Sequence, residues 1–214
     1  MSPTVIAIYG GKGGIGKTTT ALNFAYLFGA DGHRTLLVDA NVDQPSARDT
    51  FEDMKDDPPY DLTVEENPEL LGRIKSAPFD RVVIDCPPSP REAQPAFDAA
   101  DYIVVPFVPK YMETKAIART IKDTLDKRRY RLLFVAVTNG MKGRSDQSRE
   151  TLAGFSVPMF RTIIRHYVAH EKSQSNGLPP FLPDALGLDP HMKDAAEDYG
   201  NAYGELLGYL EGGR

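Results

Sequence analysis

Short apolar runs recur along the chain: Val5–Tyr9, Thr35–Val38, Val82–Ile84, Tyr102–Val105 and Leu132–Val137. They are continuously apolar rather than alternating, the pattern of parallel strands covered on both faces. Helical spacing fills the intervals, and helices are predicted over 17–30, 67–76, 112–127, 146–153 and 190–210. In the first, Ala21, Phe24, Ala25 and Phe28 line one face, and Gly32 stands where the helix should stop. This rhythm predicts an α/β fold: a doubly wound, mostly parallel sheet with helices on both faces and ligands at the carboxyl ends of the strands. Residues 53–60 and 173–190 are polar or proline-rich and read as loops, the first exposed. A single domain over residues 1–214 is expected.

Chemistry enters between the first strand and the first helix. Residues 10–19 read Gly-Gly-Lys-Gly-Gly-Ile-Gly-Lys-Thr-Thr and contain G-x-x-x-x-G-K-[ST] as Gly11, Gly16, Lys17 and Thr18. A strand, a glycine-rich loop and a helix in that order are what a phosphate-binding loop requires. Gly11, Gly13, Gly14 and Gly16 let the backbone N–H groups wrap an anion, and the helix N-terminus adds partial positive charge. Lys12, Ile15 and Thr19 complete the stretch. Lys17 is placed to reach the β- and γ-phosphates of ATP and the Thr18 hydroxyl to ligate Mg²⁺.

Two further strands end in carboxylates. Asp85 closes Val82-Val83-Ile84 and is followed by Cys86-Pro87-Pro88-Ser89. A strand-end aspartate beside a phosphate loop is the Walker B arrangement for Mg²⁺. Asp39 closes Leu36-Leu37-Val38, with Asn41 and Asp43 just beyond, and a second carboxylate at the same sheet edge suits metal and water positioning.

Composition narrows the class. Net charge is −5 over 214 residues, which speaks against a chain that binds nucleic acid over its whole surface but leaves room for a local basic face. The single cysteine, Cys86, excludes an intrachain disulfide and a cysteine-only metal cluster, and fits a reducing cytosol. No apolar run approaches the ~20 residues of a membrane span. The strand at the start leaves no room for a signal peptide, so a cytoplasmic protein is expected.

Taken together, these motifs resemble the ParA/MinD family of deviant Walker A ATPases. The resemblance rests on Lys12-Gly13-Gly14-Ile15-Gly16-Lys17-Thr18-Thr19, Leu36-Leu37-Val38-Asp39, Asp80-Arg81-Val82-Val83-Ile84-Asp85-Cys86-Pro87-Pro88-Ser89 and Ala100-Asp101-Tyr102-Ile103-Val104-Val105-Pro106. It runs from residue 5 to about 115 and more weakly to the end, and is nearest to the short plasmid-partition type. The resemblance implies slow, partner-stimulated ATP hydrolysis with Mg²⁺, and an ATP-dependent homodimer in which Lys12 reaches the partner's phosphates. It also implies non-specific DNA binding by the ATP dimer and a small ParB-like adaptor protein. Relatives usually carry Asp-x-Asp where this chain has Asp39-Ala40-Asn41, so the water-orienting carboxylate aligns with an amide, with Asp43 as a substitute. Asn139 is a candidate adenine contact, although Asn139-Gly140 also reads as a turn. Arg165 follows Thr162-Ile163-Ile164 where relatives carry Ile-Pro-Arg-Asn, and here the proline is missing.

The densest basic run, Lys127-Arg128-Arg129-Tyr130-Arg131, is either a solvated helix end or a DNA-phosphate contact, with Arg161, Arg165 and Lys172 as other contributors. The acidic, glycine-containing C-terminus lacks the basic amphipathic helix that membrane-cycling relatives use, so no membrane partner is expected. Two other functions compete. One is a nucleotide-dependent binding module with little hydrolysis. The other is an ATP-dependent metal or cofactor maturation factor, which Cys86 is poorly placed to serve.

Overall fold

The computed structural model describes residues 2–41, 46–52, 54, 57–65, 67–109, 114–125, 128–137 and 142–212. Its strands are β1 (Thr4–Ile8), β2 (Thr35–Asp39), β3 (Asp61–Val64), β4 (Arg81–Asp85), β5 (Tyr102–Phe107), β6 (Tyr130–Val137) and β7 (Met159–Arg165). They form one seven-stranded sheet in the order β3-β2-β4-β1-β5-β6-β7. Every pairing is parallel, so the mostly parallel sheet expected from the sequence is parallel throughout. The helices are α1 (Lys17–Ala30), α2 (Ser46–Glu52), α3 (Pro90–Ala99), α4 (Thr114–Leu125), α5 (Lys142–Gly154), α6 (Val168–Ser175) and α7 (Met192–Glu211).

The period-two alternation of the strands divides the core into two layers. Val5, Ala7, Val82 and Ile84 face one layer with Ala93, Phe97, Leu125 and Leu152. Ile6, Ile8, Leu37 and Val83 face the other with Phe24 and Phe28 of α1 and Tyr199 and Leu206 of α7. Across that second layer α1 and α7 meet through edge-on aromatic pairs, Phe24 with Tyr199 and Phe28 with Tyr203. Asp39 and Asp85 continue the rows of Leu37 and Val83, so both carboxylates emerge on the α1 face.

Several elements depart from the sequence reading. The edge strands β3 and β7 were not among the predicted runs, because no residue of β3 is fully buried and β7 is buried only in part, so each reads as mixed rather than continuously apolar. The predicted helix at 67–76 folds as 3-10 turns over Pro68–Ser76. Helices α2, α3 and α6 were missed; α3 begins at Pro90, with Pro95 inside it, and is capped by Ser89, whose hydroxyl accepts from the Glu92 N–H. The segment 53–60 is not wholly exposed, since Tyr60 is buried in the α1 layer. The segment 173–190 is not all loop: it holds the end of α6 and a 3-10 turn at Pro183–Gly187.

The described residues of the basic run make contacts within the fold. Arg128 pairs with Asp98 at 2.6 Å. Arg129 donates to the Tyr209 carbonyl in the last turn of α7 at 2.6 Å, where a cation also suits the helix dipole. Arg131 stacks 3.9 Å from the Tyr209 ring centroid. Lys127 lies outside the described residues. Arg165 and Lys172 are likewise engaged, with Asp198 at 2.9 Å and Asp189 at 2.9 Å.

In the last turn of α1, Gly29 allows a close approach. A Cβ there would lie 1.8 Å from the Pro59 carbonyl oxygen. Both sides of that clash are backbone, so neither can rotate away. Gly29→Ala is therefore expected to destabilise the fold by roughly 1–3 kcal/mol, outweighing the ~1 kcal/mol gain in helix propensity. Urea unfolding of wild type and variant checks this, and an unchanged or higher midpoint would refute the packing argument.

Candidate nucleotide site

Sheet register brings the candidate residues to one edge. Ile8, Asp39 and Asp85 are in-register partners on β1, β2 and β4. The chain leaves β1, passes through residues 10–16 and enters α1 at Lys17, directly above those strand ends. Two glycines shape the turn: Gly14 has φ 70° and Gly16, the N-cap of α1, has φ 90°, a region that side-chain-bearing residues rarely occupy. The loop tip, Gly11 to Gly14, is exposed, whereas Lys17 is only 8% exposed.

Within this loop Lys17 Nζ donates to the Lys12 carbonyl at 3.2 Å. A buried ammonium held by a neutral carbonyl is ready to exchange it for an anion, which makes a stronger charge-assisted bond. Thr18 donates its hydroxyl to Asp85 Oδ2 at 2.7 Å, tying the start of α1 to the end of β4. Thr19 donates to Gln174 Oε1 of α6 at 3.0 Å, and Thr20 meets the Tyr199 hydroxyl of α7 at 3.2 Å. Three successive threonines thus tie the first turn of α1 to the sheet, to α6 and to α7.

Asp85 is 1% exposed, and its Oδ1 is buried without a hydrogen-bond partner. Burial pushes its carboxyl up to about 7, with Asp39 adding repulsion and Thr18 and Lys17 opposing. A buried, partnerless carboxylate oxygen beside a threonine hydroxyl is a hard-oxygen donor pair of the kind Mg²⁺ takes, so the residues present fit that ion. Asp39 is placed differently. Its Oδ1 accepts from the Asn41 N–H at 3.1 Å, and its Oδ2 from the N–H groups of Ala47 at 3.0 Å and Arg48 at 3.2 Å. It caps α2 and anchors the turn after β2. Burial raises its pKa, while those three N–H groups hold it down. Asn41 is half-buried at the same edge. Asp43 and Asn139 lie outside the described residues.

Sequence reasoning did not pick out Gln174, Tyr199 or His170, which come from α6 and α7 and touch the site only through the fold. His170 Nε2 lies 3.1 Å from the Arg165 carbonyl, which makes it the donor and leaves Nδ1 buried without a partner. Its ring meets Tyr199 edge-on at 5.6 Å.

The model of the CobQ/CobB/MinD/ParA nucleotide binding domain matches residues 6–181. The chain is 35% identical over 181 residues to a maintenance of carboxysome distribution protein A of Gloeobacter kilaueensis, covering 82% of this chain and 83% of that one. It is 29% identical to the chromosome partitioning protein ParA of Caulobacter vibrioides, covering 90% and 92%. Among solved structures, a plasmid partition protein from Borrelia burgdorferi bound to AMPPNP superposes with TM-score 0.75 at 17% identity, over 96% of this chain and 98% of that one. The MinD cell division protein of Aquifex aeolicus gives 0.72 at 20% identity, over 96% and 97%. These two structures bear out the doubly wound fold.

The wall of α6 carries its own pH signature. Burial lowers the His170 pKa from its ordinary 6.5, opposed by the Arg165 carbonyl and Asp198, with His166 adding repulsion. The folded state then binds fewer protons than the unfolded state below that value, so stability falls as pH drops from about 6.5 through the lower folded pKa. Wild type is expected to lose more melting temperature between pH 7.5 and 5.5 than His170→Phe does. Parallel slopes for the two proteins would refute this.

Proposed function

The chain belongs to the CobQ/CobB/MinD/ParA nucleotide-binding family, and we propose that it is an ATP-hydrolysing switch. In this reading it dimerises on ATP and serves the partition or positioning of DNA or another cargo in the cytoplasm. The observation that carries the reading is the 2.7 Å bond from Thr18 to Asp85, which joins the phosphate loop to the strand-end carboxylate with buried Lys17 beside them. Among the described residues no helix is long and apolar enough to cross a membrane.

The main-chain N–H groups from Gly11 to Thr19 receive the phosphates of ATP, with Ile15 half-buried beneath the loop. Lys17 leaves the Lys12 carbonyl for the β- and γ-phosphate oxygens. Thr18 and Asp85 would hold Mg²⁺, which would supply charge neutralisation to the triphosphate. Lys12, exposed at the loop tip, contributes its ammonium to the phosphates of a second copy, where one subunit cannot neutralise the charge alone. Asp39 fixes the Asn41 backbone, and the Asn41 amide orients the attacking water. Asn139 remains the proposed adenine contact. Relatives named for chromosome partitioning support non-specific DNA as the surface on which the ATP dimer rides, through phosphate contacts, with a small ParB-like adaptor as stimulator.

Light scattering and phosphate release test the core of this reading. ATP with Mg²⁺ is expected to convert monomer to dimer where ADP does not. Lys12→Ala should stay monomeric, and Lys17→Ala should lose nucleotide binding altogether. A wild type that stays monomeric in ATP, or a normal dimer from Lys12→Ala, would overturn it.

Hydrolysis carries a separate expectation. An amide accepts or donates hydrogen bonds but does not take the water's proton. Because phosphoryl transfer is largely dissociative, positioning carries much of the acceleration, so the basal rate should be slow rather than zero. Asn41→Asp is expected to release phosphate several-fold faster than wild type. If Asn41→Asp is no faster and Asp43→Ala is dead, Asp43 is the water-orienting residue instead.

A further inference from the structure

The contact between Thr19 and Gln174 joins residues 155 positions apart and fills a gap between the phosphate loop and α6. A threonine hydroxyl has a single proton. While Gln174 Oε1 accepts that proton at 3.0 Å, Thr19 can turn only oxygen lone pairs toward an arriving phosphate, and lone pairs repel phosphate oxygens. Gln174 has a second orientation available. With its amide turned by half a rotation, Nε2–H donates to Thr19 Oγ1, and the hydroxyl proton is released for a phosphate. Both orientations keep a hydrogen bond between the two side chains.

The surroundings can serve either orientation. Gln174 lines a cavity of about 20 Å³ together with Leu22, Asn23, Ser173 and Leu178. That is room for about one water. Asn23 donates Nδ2 to the Thr19 carbonyl at 2.7 Å, while its Oδ1 is buried without a partner. A water in the cavity can donate one proton to that oxygen and the other to Gln174 Oε1 once the amide has turned.

We propose that Gln174 is a positioning residue of the nucleotide site, whose amide rotation converts Thr19 from an acceptor-facing to a donor-facing hydroxyl when a nucleotide phosphate binds. The inference rests on the ATP reading of the Gly11–Thr19 loop. It requires that the group at position 174 release the Thr19 proton when phosphate arrives, which glutamine does by turning its amide and an ionised glutamate, an acceptor only, does not.

Calorimetric titration with ATP and Mg²⁺ compares wild type, Gln174→Met and Gln174→Glu. Methionine keeps the length and leaves Thr19 unheld, so its affinity should stay within about threefold of wild type. Ionised glutamate locks the proton and should weaken binding about tenfold or more. A merely structural contact gives the opposite order, because glutamate preserves the hydrogen bond and methionine does not. The same pair in a Thr19→Ala background separates the switch from charge repulsion. There the glutamate penalty relative to methionine should shrink to less than about threefold. An undiminished penalty in that background, or glutamate binding as tightly as wild type, overturns the switch. Failure of wild type to bind ATP overturns the ATP reading itself, and the switch with it.

Discussion

Three charged side chains, Lys17, Asp39 and Asp85, are buried at the carboxyl edge of an otherwise hydrophobic sheet. A buried charge is tolerated only with partners, and these three find theirs in different ways. Asp39 takes three backbone N–H groups and so dictates where α2 begins. Lys17 takes a carbonyl of its own loop, which folds the loop back over the ammonium. Asp85 takes one threonine hydroxyl and leaves one oxygen unserved. Among the described residues Asp85 Oδ1 is thus the carboxylate oxygen of this trio left for a cation, and burial is the main cause of the raised Asp85 pKa.

The surrounding fold keeps those partners in place. Because α1 lies across the sheet between β4 and α7, its first turn is gripped from both sides: Thr18 by Asp85, Thr20 by Tyr199. The far end of α7 is held by Arg129 at its last carbonyls and by Arg131 on the Tyr209 ring. Glu205 of the same helix accepts the Arg161 and Thr162 N–H groups on β7, the edge strand, where unpaired donors would otherwise face outward. Of the basic run, which read from the sequence as either a solvated helix end or a DNA-phosphate contact, Arg129 and Arg131 help to fasten the last helix to the sheet.

The inner strands were legible because burial on both faces leaves an unbroken apolar run, and the phosphate loop because its glycines and lysine are constrained by spacing. The edges were not. β3 has an exposed or half-buried face at every position, which erases the contrast that marks a strand. Pro90, which opens α3, was not read as a helix start, although Ser89 and Glu92 stand at capping-box spacing around it. Gln174 sat in a stretch read as loop, and its partner is so distant in sequence that no local pattern could point to it. Asp39 was read as a metal-side carboxylate, yet the structure gives its oxygens to backbone N–H groups, a use that leaves no trace in composition.

The amide at position 41 gains meaning from this charge economy. Asp39 and Asp85 already sit one strand apart on the same face, and the repulsion between them helps raise Asp85. A carboxylate on residue 41, whose backbone is bonded to Asp39, would add a third negative charge to the same edge. That charge would face a triphosphate at least as unfavourably as it faces its neighbours, so an amide lowers the repulsion that nucleotide binding must overcome. On the proposed ATPase reading, the amide also places no proton acceptor beside the reacting phosphate. Both consequences push in one direction, toward a state in which ATP is held longer than it is hydrolysed. A switch whose signal is the ATP-bound dimer benefits from such a state, because its lifetime then depends on an external stimulator rather than on the site's own chemistry.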